Sequence, residues 1–194
     1  LPYFIPGILL SVRDEYGKVT SFTYGNSYAA TGNTVPYRFP LLTGVQERDN
    51  YSPARTFTYA YDTPKHDRAE REFQGFGHVR ETDAGGIQTD TYFLQDRPRL
   101  GFVDRVEKTN GLTITSSYPN NTSQPYDNPL QSSTRTEAGK QVTTTYTYDN
   151  YGNVTQESVS ANSGDPNLAT QRSFSPNTNQ WLVNFPYQET VTMG

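Results

Sequence analysis

Residues 145–155 read TYTYDNYGNVT, and their pattern indicates the fold class. Tyr146 and Tyr148 alternate with threonine, and a period of two is typical of a half-buried β-strand. The short side chain of Asp149 can accept hydrogen bonds from the backbone of a turn, and Gly152 can adopt the positive φ that a tight turn requires. The stretch therefore predicts a hairpin of two antiparallel strands.

The same alternation occurs in two other places. Phe57, Tyr59 and Tyr61 would share one face of a strand, and Phe22 and Tyr24 one face of another. Between such runs, a short polar residue is repeatedly followed by a glycine, as tight hairpin turns require. Five turns are predicted, at residues 14–20, 83–87, 109–112, 137–140 and 149–155. Glycine turns occur in any antiparallel protein, but five such units in one chain indicate a degenerate repeat.

The composition favours thin β structure. The chain has 194 residues, of which 32% are hydrophobic and 13% aromatic, whereas ordinary domains are about 45–50% apolar. Threonine, which favours strands, occurs 26 times, and runs with helical spacing are nearly absent. The sequence thus predicts an all-β protein, in which antiparallel hairpins form an extended twisted sheet and neighbouring repeats bury one another's faces.

Charge and cysteine content exclude several function classes. The net charge of −4 gives no electrostatic footprint for nucleic acid or an anionic membrane. The chain has no cysteine, which excludes disulfides, a thiol nucleophile and a thiolate metal site. The apolar residues 4–10 are too few for a membrane span. The first residue is Leu1 rather than methionine, so we expect the sequence to be a piece of a longer chain.

Four segments depart from the hairpin rhythm. Residues 119–129 are rich in Asn, Ser and Pro and predict a loop, where the single repeat segment 1–194 could subdivide. Residues 160–176 have a similar composition and predict a second loop. The charged residues 64–72 lack an apolar stripe and predict a solvated loop that turns into a strand. Residues 181–183, Trp-Leu-Val, predict one last buried strand.

Residues 145–155 resemble the YD repeat of Rhs proteins, in which a Tyr-x-Tyr-Asp strand runs into a turn that ends in Gly-Asn-Val/Leu-Thr. Residues 14–24 are a weaker copy. A second resemblance is more specific, because residues 57–62, FTYAYD, are followed at residues 71–79 by REFQGFGHV. This order is similar to a signature of the B component of bacterial insecticidal Tc toxins and of SpvB-like proteins. The structural motif residues that the two resemblances mark are Tyr59, Tyr61, Arg71, Glu72, Phe73, Gly75, Phe76, Gly77, Tyr146, Tyr148, Asp149 and Gly152.

The resemblance implies a fold, a role and partners. In this family the repeats form a long β-sheet ribbon that spirals into a hollow shell around a toxic polypeptide. The chain would then be a non-catalytic wall segment. Its partners would be the rest of its own repeat shell, an enclosed C-terminal toxin polypeptide and other subunits of the toxin complex. It would be secreted or held at the surface of a bacterium.

The sequence also departs from this family. The family's shells hold many more repeats than 194 residues can supply, so this chain could not close a shell alone. The self-cleaving core of the family, Asp-Pro-x-Gly-Leu, is not found. Residues 164–168, GDPNL, come near it but lack the glycine before leucine, and we interpret them as a turn. The variable toxin domain is also missing.

Candidate catalytic and metal-binding residues are few. The chain has two histidines, His66 and His78, and no Gly-x-Ser-x-Gly turn that would present a nucleophilic serine. His78 lies within the strand motif, where a structural or exposed imidazole is expected. Asp62, His66 and Asp67 could in principle face a metal, but such a charged loop is commonly solvated. We expect no enzyme activity, no cofactor and no metal.

Two further patterns invite a chemical interpretation. Asp14, Asp83 and Asp149 could offer oxygen ligands to calcium, but no Asp-x-Asp-x-Asp-Gly series exists, so they are expected to stabilise turns. Residues 131–137 faintly resemble elements of ADP-ribosyltransferases, but the Glu-x-Glu element is absent.

The alternative function is a carbohydrate- or protein-binding module at the cell surface. Aromatic platforms can bind sugars or unfolded chain, and several aromatic residues fall outside clean alternation. Packing between neighbouring repeats would explain them equally. The residues concerned are Tyr3, Phe4, Tyr28, Tyr37, Phe39, Tyr51, Tyr118, Tyr126 and Tyr187.

Overall fold

The computed structural model describes residues 7–49, 51–180 and 182–194. In these ranges the chain forms β-strands and two short 3₁₀ turns, at Ser27–Ala29 and Arg97–Arg99. The chain divides into two compact units, Leu1–Gln95 and Asp96–Gly194. All the strand pairs within each unit are antiparallel, so the predicted all-β antiparallel fold is confirmed.

The first unit is a series of hairpins in which each strand pairs with the strand that follows it in the chain. The longest hairpin of the unit, formed by the strands Arg55–Asp67 and Glu72–Thr82, carries the Tyr-x-Tyr and REFQGFGHV segments. The strands are β1 (Ser11–Arg13), β2 (Val19–Asn26), β3 (Pro40–Arg48), β4 (Arg55–Asp67), β5 (Glu72–Thr82) and β6 (Gln88–Phe93).

The second unit follows the same plan, and its strands Lys140–Tyr148 and Val154–Ala161 form the hairpin that residues 145–155 predict. The loop at residues 119–129 has no strand and lies between the strands Thr113–Ser117 and Ser132–Glu137, inside this unit. That the residues 1–194 form one repeat segment stays a prediction. The strands are β7 (Val103–Lys108), β8 (Thr113–Ser117), β9 (Ser132–Glu137), β10 (Lys140–Tyr148), β11 (Val154–Ala161), β12 (Leu168–Phe174) and β13 (Pro186–Met193).

Side-chain burial alternates along the strands as the period of two predicts. In β4, Tyr59 and Tyr61 are half-buried and the residue between them is exposed. In β10, Tyr146 and Tyr148 are half-buried and the threonine between them is exposed. Val142, at the beginning of β10, is exposed, so the half-buried face of this strand covers only its second half.

The predicted loop at residues 64–72 is wrong in its first part, because residues 64–67 belong to β4. Pro64 is fully buried and lies opposite Phe76, and the strand shifts register between Pro64 and His66. Proline lacks an N–H, and a bulge of this kind is where a strand tolerates it. The solvated turn is therefore limited to residues 68–71.

Two further expectations near the end of the chain are wrong. Residues 168–174, predicted to be a loop, form β12, because the Gly-Asp-Pro-Asn turn occupies only the residues before them. Leu182 was expected in a buried strand, but it is exposed and makes only an isolated bridge with Asn177. Trp181, from the same expected strand, lies outside the described residues.

Fully buried residues are scarce in the described part of the chain, as the low hydrophobic content predicts. The buried apolar side chains include Val35 and Leu41, whereas Ser27, Gln74, Asp90 and Asn128 are buried and polar. A buried polar group must be hydrogen-bonded to avoid a desolvation penalty. Among the described residues, the side chains of Ser27, Asp90 and Asn128 are hydrogen-bonded, whereas Oε1 of Gln74 has no hydrogen-bond partner. No helix in the described ranges has the length and apolar character needed to cross a membrane.

Candidate functional site

The first recurring feature is a turn closed by an aspartate, which occurs at Asp14, Asp83 and Asp149. In each turn, the carboxylate Oδ1 accepts hydrogen bonds from the N–H groups two and four residues later, at 2.8–3.0 Å. The glycine three residues after the aspartate has a φ of 88°, 84° or 81°, a conformation that costs glycine little. The predicted role of these aspartates in stabilising turns is therefore what the structure shows.

The other two predicted turns are built differently. Asn110 replaces the aspartate, and its Oδ1 accepts a longer bond of 3.3 Å from the N–H of Leu112. At residues 137–140, Ala138 and Gly139 have φ values of 49° and 76°, the two successive positive values of a two-residue hairpin turn. The repeated units therefore share the hairpin, but their turns are stabilised in different ways.

Asp149 illustrates the electrostatics of such a turn. Partial burial acts to raise the pKa of Asp149, but hydrogen bonds from the side chain and backbone of Asn153 and from the backbone of Tyr151 outweigh it and lower the pKa. The Asn153 amide also donates to the carbonyl of Val183 at 2.8 Å. The ionised carboxylate therefore holds the turn, and Asn153 ties the turn to a later segment.

A second recurring feature is a tyrosine, within a strand or directly after one, whose hydroxyl donates to a backbone carbonyl 15–19 residues earlier. We call these four residues the tyrosine latches. This role was not predicted from the sequence, although the last tyrosine of each Tyr-x-Tyr pair was a signal for it. The pairs are Tyr24 with Leu9, Tyr61 with Leu42, Tyr118 with Val103, and Tyr148 with Leu130, at 3.1, 2.9, 3.2 and 2.6 Å.

Burial keeps two of the latches, Tyr61 and Tyr148, in their donating form. It raises the pKa of Tyr61 and of Tyr148, and the neighbouring phenols of Tyr59 and Tyr146 raise these pKa values further. A tyrosine donates a hydrogen bond only while it is protonated. The latches at Tyr61 and Tyr148 therefore stay closed to a higher pH than a free phenol would.

Replacing Tyr148 with phenylalanine is expected to lower the free energy of unfolding by about 1 kcal/mol, because only the hydroxyl and its bond to Leu130 are lost. Tyr146 is the matched control, because it lies on the same strand face and its hydroxyl makes no hydrogen bond in the described residues. We expect Tyr146→Phe to change stability by less than about 0.5 kcal/mol. Equal effects in denaturant-induced unfolding of the two variants would show that the latch contributes nothing.

The third feature is an aromatic cluster in the first unit, formed by Phe39, Tyr61, Phe73 and Phe76. The ring of Phe76 lies 4.9 Å from Tyr61, 5.5 Å from Phe73 and 6.3 Å from Phe39, measured between centroids. Phe39 lies 5.2 Å from Phe73 in an edge-on arrangement, and such geometries are favourable for aromatic rings. The structure thus brings together three of the predicted motif residues and adds Phe39.

The two glycines beside Phe76 have different reasons to be glycine. Gly75 has a φ of 76°, where any other residue is strained. At Gly77 a Cβ would overlap Oγ1 of Thr63 and lie 2.9 Å from Oε1 of Gln95. Gln95 in turn donates to the carbonyls of Thr63 and Gly75 at 2.9 and 3.0 Å. A close approach of three chain segments therefore depends on these glycines.

Arg71 and Glu72, the remaining motif residues of this segment, are exposed and lie where the β4–β5 hairpin reverses. Arg71 has a φ of 57°, the left-handed conformation of a turn. Glu72 pairs with Asp67 at the first position of β5. Their place is the turn and not the aromatic cluster.

His78 lies between two carboxylates on neighbouring strands. Its Nδ1 is 3.0 Å from Oδ2 of Asp62, and its Nε2 is 2.6 Å from Oδ1 of Asp90. Arg80 donates from Nε to the same oxygen of Asp90 at 2.8 Å. Burial acts to raise the pKa of Asp90, but the hydrogen bonds from Arg80 and His78 outweigh it and lower the pKa.

The residues considered for a metal are not gathered in one place. Asp62 is hydrogen-bonded to His78, while Asp67 accepts hydrogen bonds from the N–H groups of Ala69 and Glu70 in the turn after β4. His66 packs edge-on against Tyr37, with centroids 5.6 Å apart. Over residues 7–49, 51–180 and 182–194, no group of three or more His, Asp or Glu side chains could hold a metal ion.

The aromatic residues outside the alternation divide into two sets. Phe39 belongs to the aromatic cluster and Tyr118 is a tyrosine latch, so both pack within the chain. Tyr3 and Phe4 lie outside the described residues. The others are exposed, and they are Tyr28, Tyr37, Tyr51, Tyr126 and Tyr187.

No protein-family model and no curated protein matches the chain. Solved structures do match. With TcdB2-TccC3 lacking its hypervariable C-terminal region, the TM-score is 0.71 at 13% identity, over 92% of this chain and 14% of that one. With the Photorhabdus luminescens Tc holotoxin pore, it is 0.75 at 12% identity, over 96% of this chain and 15% of that one. With TcdB2-TccC3-Cdc42, the TM-score is 0.69 at 14% identity, over 92% of this chain and 15% of that one.

These matches show a shared fold. The hairpin series is one that structures of Tc toxin components contain, so the fold that the family resemblance implies is confirmed. The chain spans about 15% of the length of the matched chains. The SpvB-like part of the resemblance stays a prediction.

Proposed function

We propose that this chain is a non-catalytic wall segment of an Rhs/YD-repeat shell that encloses and protects a toxin polypeptide. The observation that carries the proposal is the fold match to Tc toxin structures, which extends over 92–96% of the chain. The partners would be the rest of the shell, the enclosed polypeptide and other subunits of a toxin complex. The protein would be secreted or displayed by a bacterium.

The construction of the chain suits a wall. A wall must be thin, must be stable without a thick core, and must offer faces that do not capture an unfolded chain. Here the stability would come from backbone pairing, tyrosine latches and aspartate turns, because few described apolar side chains are fully buried. A wall of this kind excludes proteases by continuity and needs no catalytic group.

The test uses the natural gene product that contains this chain, purified from its source with antibodies raised against residues 7–49. Imaging by electron microscopy is expected to show a hollow particle, and proteinase K is expected to spare an internal polypeptide until the particle is denatured. A particle with no lumen would overturn the proposal, and so would an internal polypeptide that is digested at the same rate before and after denaturation.

A second candidate function is a binding module for a carbohydrate or a protein. It is favoured by the exposed tyrosines, among which Tyr51 and Tyr16 are 93% and 83% exposed and Tyr28 lies under the guanidinium of Arg38 at 4.7 Å. Binding to a glycan panel that is saturable and lost in Tyr51→Ser or Tyr28→Ser would support this function.

A further inference from the structure

Four charged or titratable side chains lie together on three neighbouring strands of the first unit. Asp62 is on β4, His78 and Arg80 are on β5, and Asp90 is on β6. The strand register places Asp62 opposite His78, and Arg80 opposite Asp90. Backbone pairing therefore fixes which of these groups are neighbours.

The position of His78 within this group is constrained on all sides. Its two ring nitrogens lie 3.0 and 2.6 Å from oxygens of Asp62 and Asp90. Its ring stacks on Tyr92 of β6, with centroids 4.7 Å apart and an angle of 20° between the planes. The side chain of His78 is 16% exposed and that of Asp90 12%. The imidazole can neither turn away from the carboxylates nor be fully solvated.

The chemistry of imidazole makes this arrangement sensitive to protons. A neutral imidazole has one N–H donor and one lone pair, whereas the imidazolium has two donors. With a neutral ring, one of the two carboxylates would face a lone pair. With an imidazolium, both contacts are charge-assisted hydrogen bonds, and the two cations His78 and Arg80 balance the two carboxylates.

We propose that His78 is a proton-linked clasp, which joins β4 to β5 through Asp62 and β5 to β6 through Asp90 while both ring nitrogens carry protons. Loss of one of these protons breaks one of the two charge-assisted hydrogen bonds. The groups that face the ring are Asp62 from β4, Arg80 from β5, and Asp90 and the Tyr92 phenol from β6. The clasp does not depend on whether the chain encloses a toxin.

The direction of the pH effect follows from linkage. The unfolded chain does not hold carboxylates at the two ring nitrogens, so the stability that the clasp contributes is present at lower pH and is lost as the pH rises. A charge-assisted bond is worth enough to change the ratio of folded to unfolded chain by roughly tenfold. We expect a decrease of that size when the pH is raised from 6, where an imidazole is mostly charged, to 9, where it is neutral.

The direct test is the protonation state of the ring. In the ¹⁵N-labelled 194-residue chain at pH 7, where an ordinary imidazole is mostly neutral, long-range ¹H–¹⁵N spectra are expected to show two protonated nitrogens for His78. The signals of His78 are assigned as those that remain in His66→Gln. A neutral His78 ring at pH 7, with one protonated nitrogen, would overturn the proposal.

The second test separates a clasp from ordinary packing. Denaturant unfolding of the wild-type chain, His78→Gln and the matched control His66→Gln is compared at pH 6 and pH 9. The tenfold decrease is expected in the wild-type chain and in His66→Gln, and is expected to vanish in His78→Gln, whose amide cannot lose a proton. A decrease that persists in His78→Gln would contradict the clasp. If that variant does not fold, the ring spectrum of the wild-type chain still decides the question.

Discussion

Replacing Gly77 with alanine is expected to lower the free energy of unfolding by about 2–3 kcal/mol. The added Cβ would overlap Oγ1 of Thr63 and press on Oε1 of Gln95. Gln95 can move, because its amide is at the end of a flexible side chain. Thr63 cannot move easily, because its χ1 is restricted by β-branching, its N–H donates to Thr31 at 2.7 Å, and its carbonyl accepts from Gln95 at 2.9 Å.

The matched control is Gly44→Ala. Gly44 also lies within a strand, but its Cβ would lie 3.5 Å from Cβ of Thr23, which is an ordinary contact distance. We expect this substitution to be neutral or slightly stabilising, because alanine costs less conformational entropy than glycine. Denaturant unfolding of both variants at one pH provides the comparison.

A double-mutant cycle identifies the cause. Thr63→Gly removes the obstructing hydroxyl and also relieves the φ of 50° that threonine adopts there. In that background, Gly77→Ala is expected to cost less than about 1 kcal/mol. If Gly77→Ala costs the same with and without Thr63, the overlap with the Thr63 side chain is not the reason for glycine.

The features that the sequence analysis predicted correctly depend on residues that are close together in the chain. The period of two at Tyr146 and Tyr148 reflects how neighbouring residues face in a strand. The turn at Asp149 is closed by residues within four positions. Local geometry of this kind is encoded within a few residues, so strands and turns could be predicted without any knowledge of their partners.

The features that it missed depend on register. The hydroxyl of Tyr61 donates to the carbonyl of Leu42, 19 residues earlier, and His78 meets Asp90 only because β5 and β6 pair in one particular alignment. A shift of one residue would turn these side chains to the other face. The spacing of the two residues in the sequence does not reveal such an alignment, so neither contact could be predicted.

Pro64 shows a different limit of prediction from the sequence. A proline among charged residues favours a loop, and this preference led to the wrong expectation for residues 64–67. In the structure, Pro64 sits at a bulge and is fully buried. The burial of a proline ring in an aromatic-rich hairpin outweighs the local propensity of its neighbours.

Replacing Phe76 with alanine is expected to lower the free energy of unfolding by about 3 kcal/mol, near the lower end of the 3–5 kcal/mol typical of buried phenylalanines. The ring contacts Phe39, Tyr61 and Phe73, so its removal leaves these three rings with a common void. Phe76 is half-buried rather than fully buried, which is why the expected value is not higher.

Phe185→Ala is the matched control for this prediction, because it makes the same chemical change at a residue that is 66% exposed. We expect it to change stability by less than about 0.5 kcal/mol. A third variant, Phe76→Leu, refills most of the void and is expected to recover more than half of the loss. Denaturant unfolding of the three variants decides the matter. If Phe76→Ala and Phe185→Ala had equal effects, the ring of Phe76 would not contribute to the stability of the hairpin, and the Phe-x-Gly-Phe-Gly segment would need another explanation than packing.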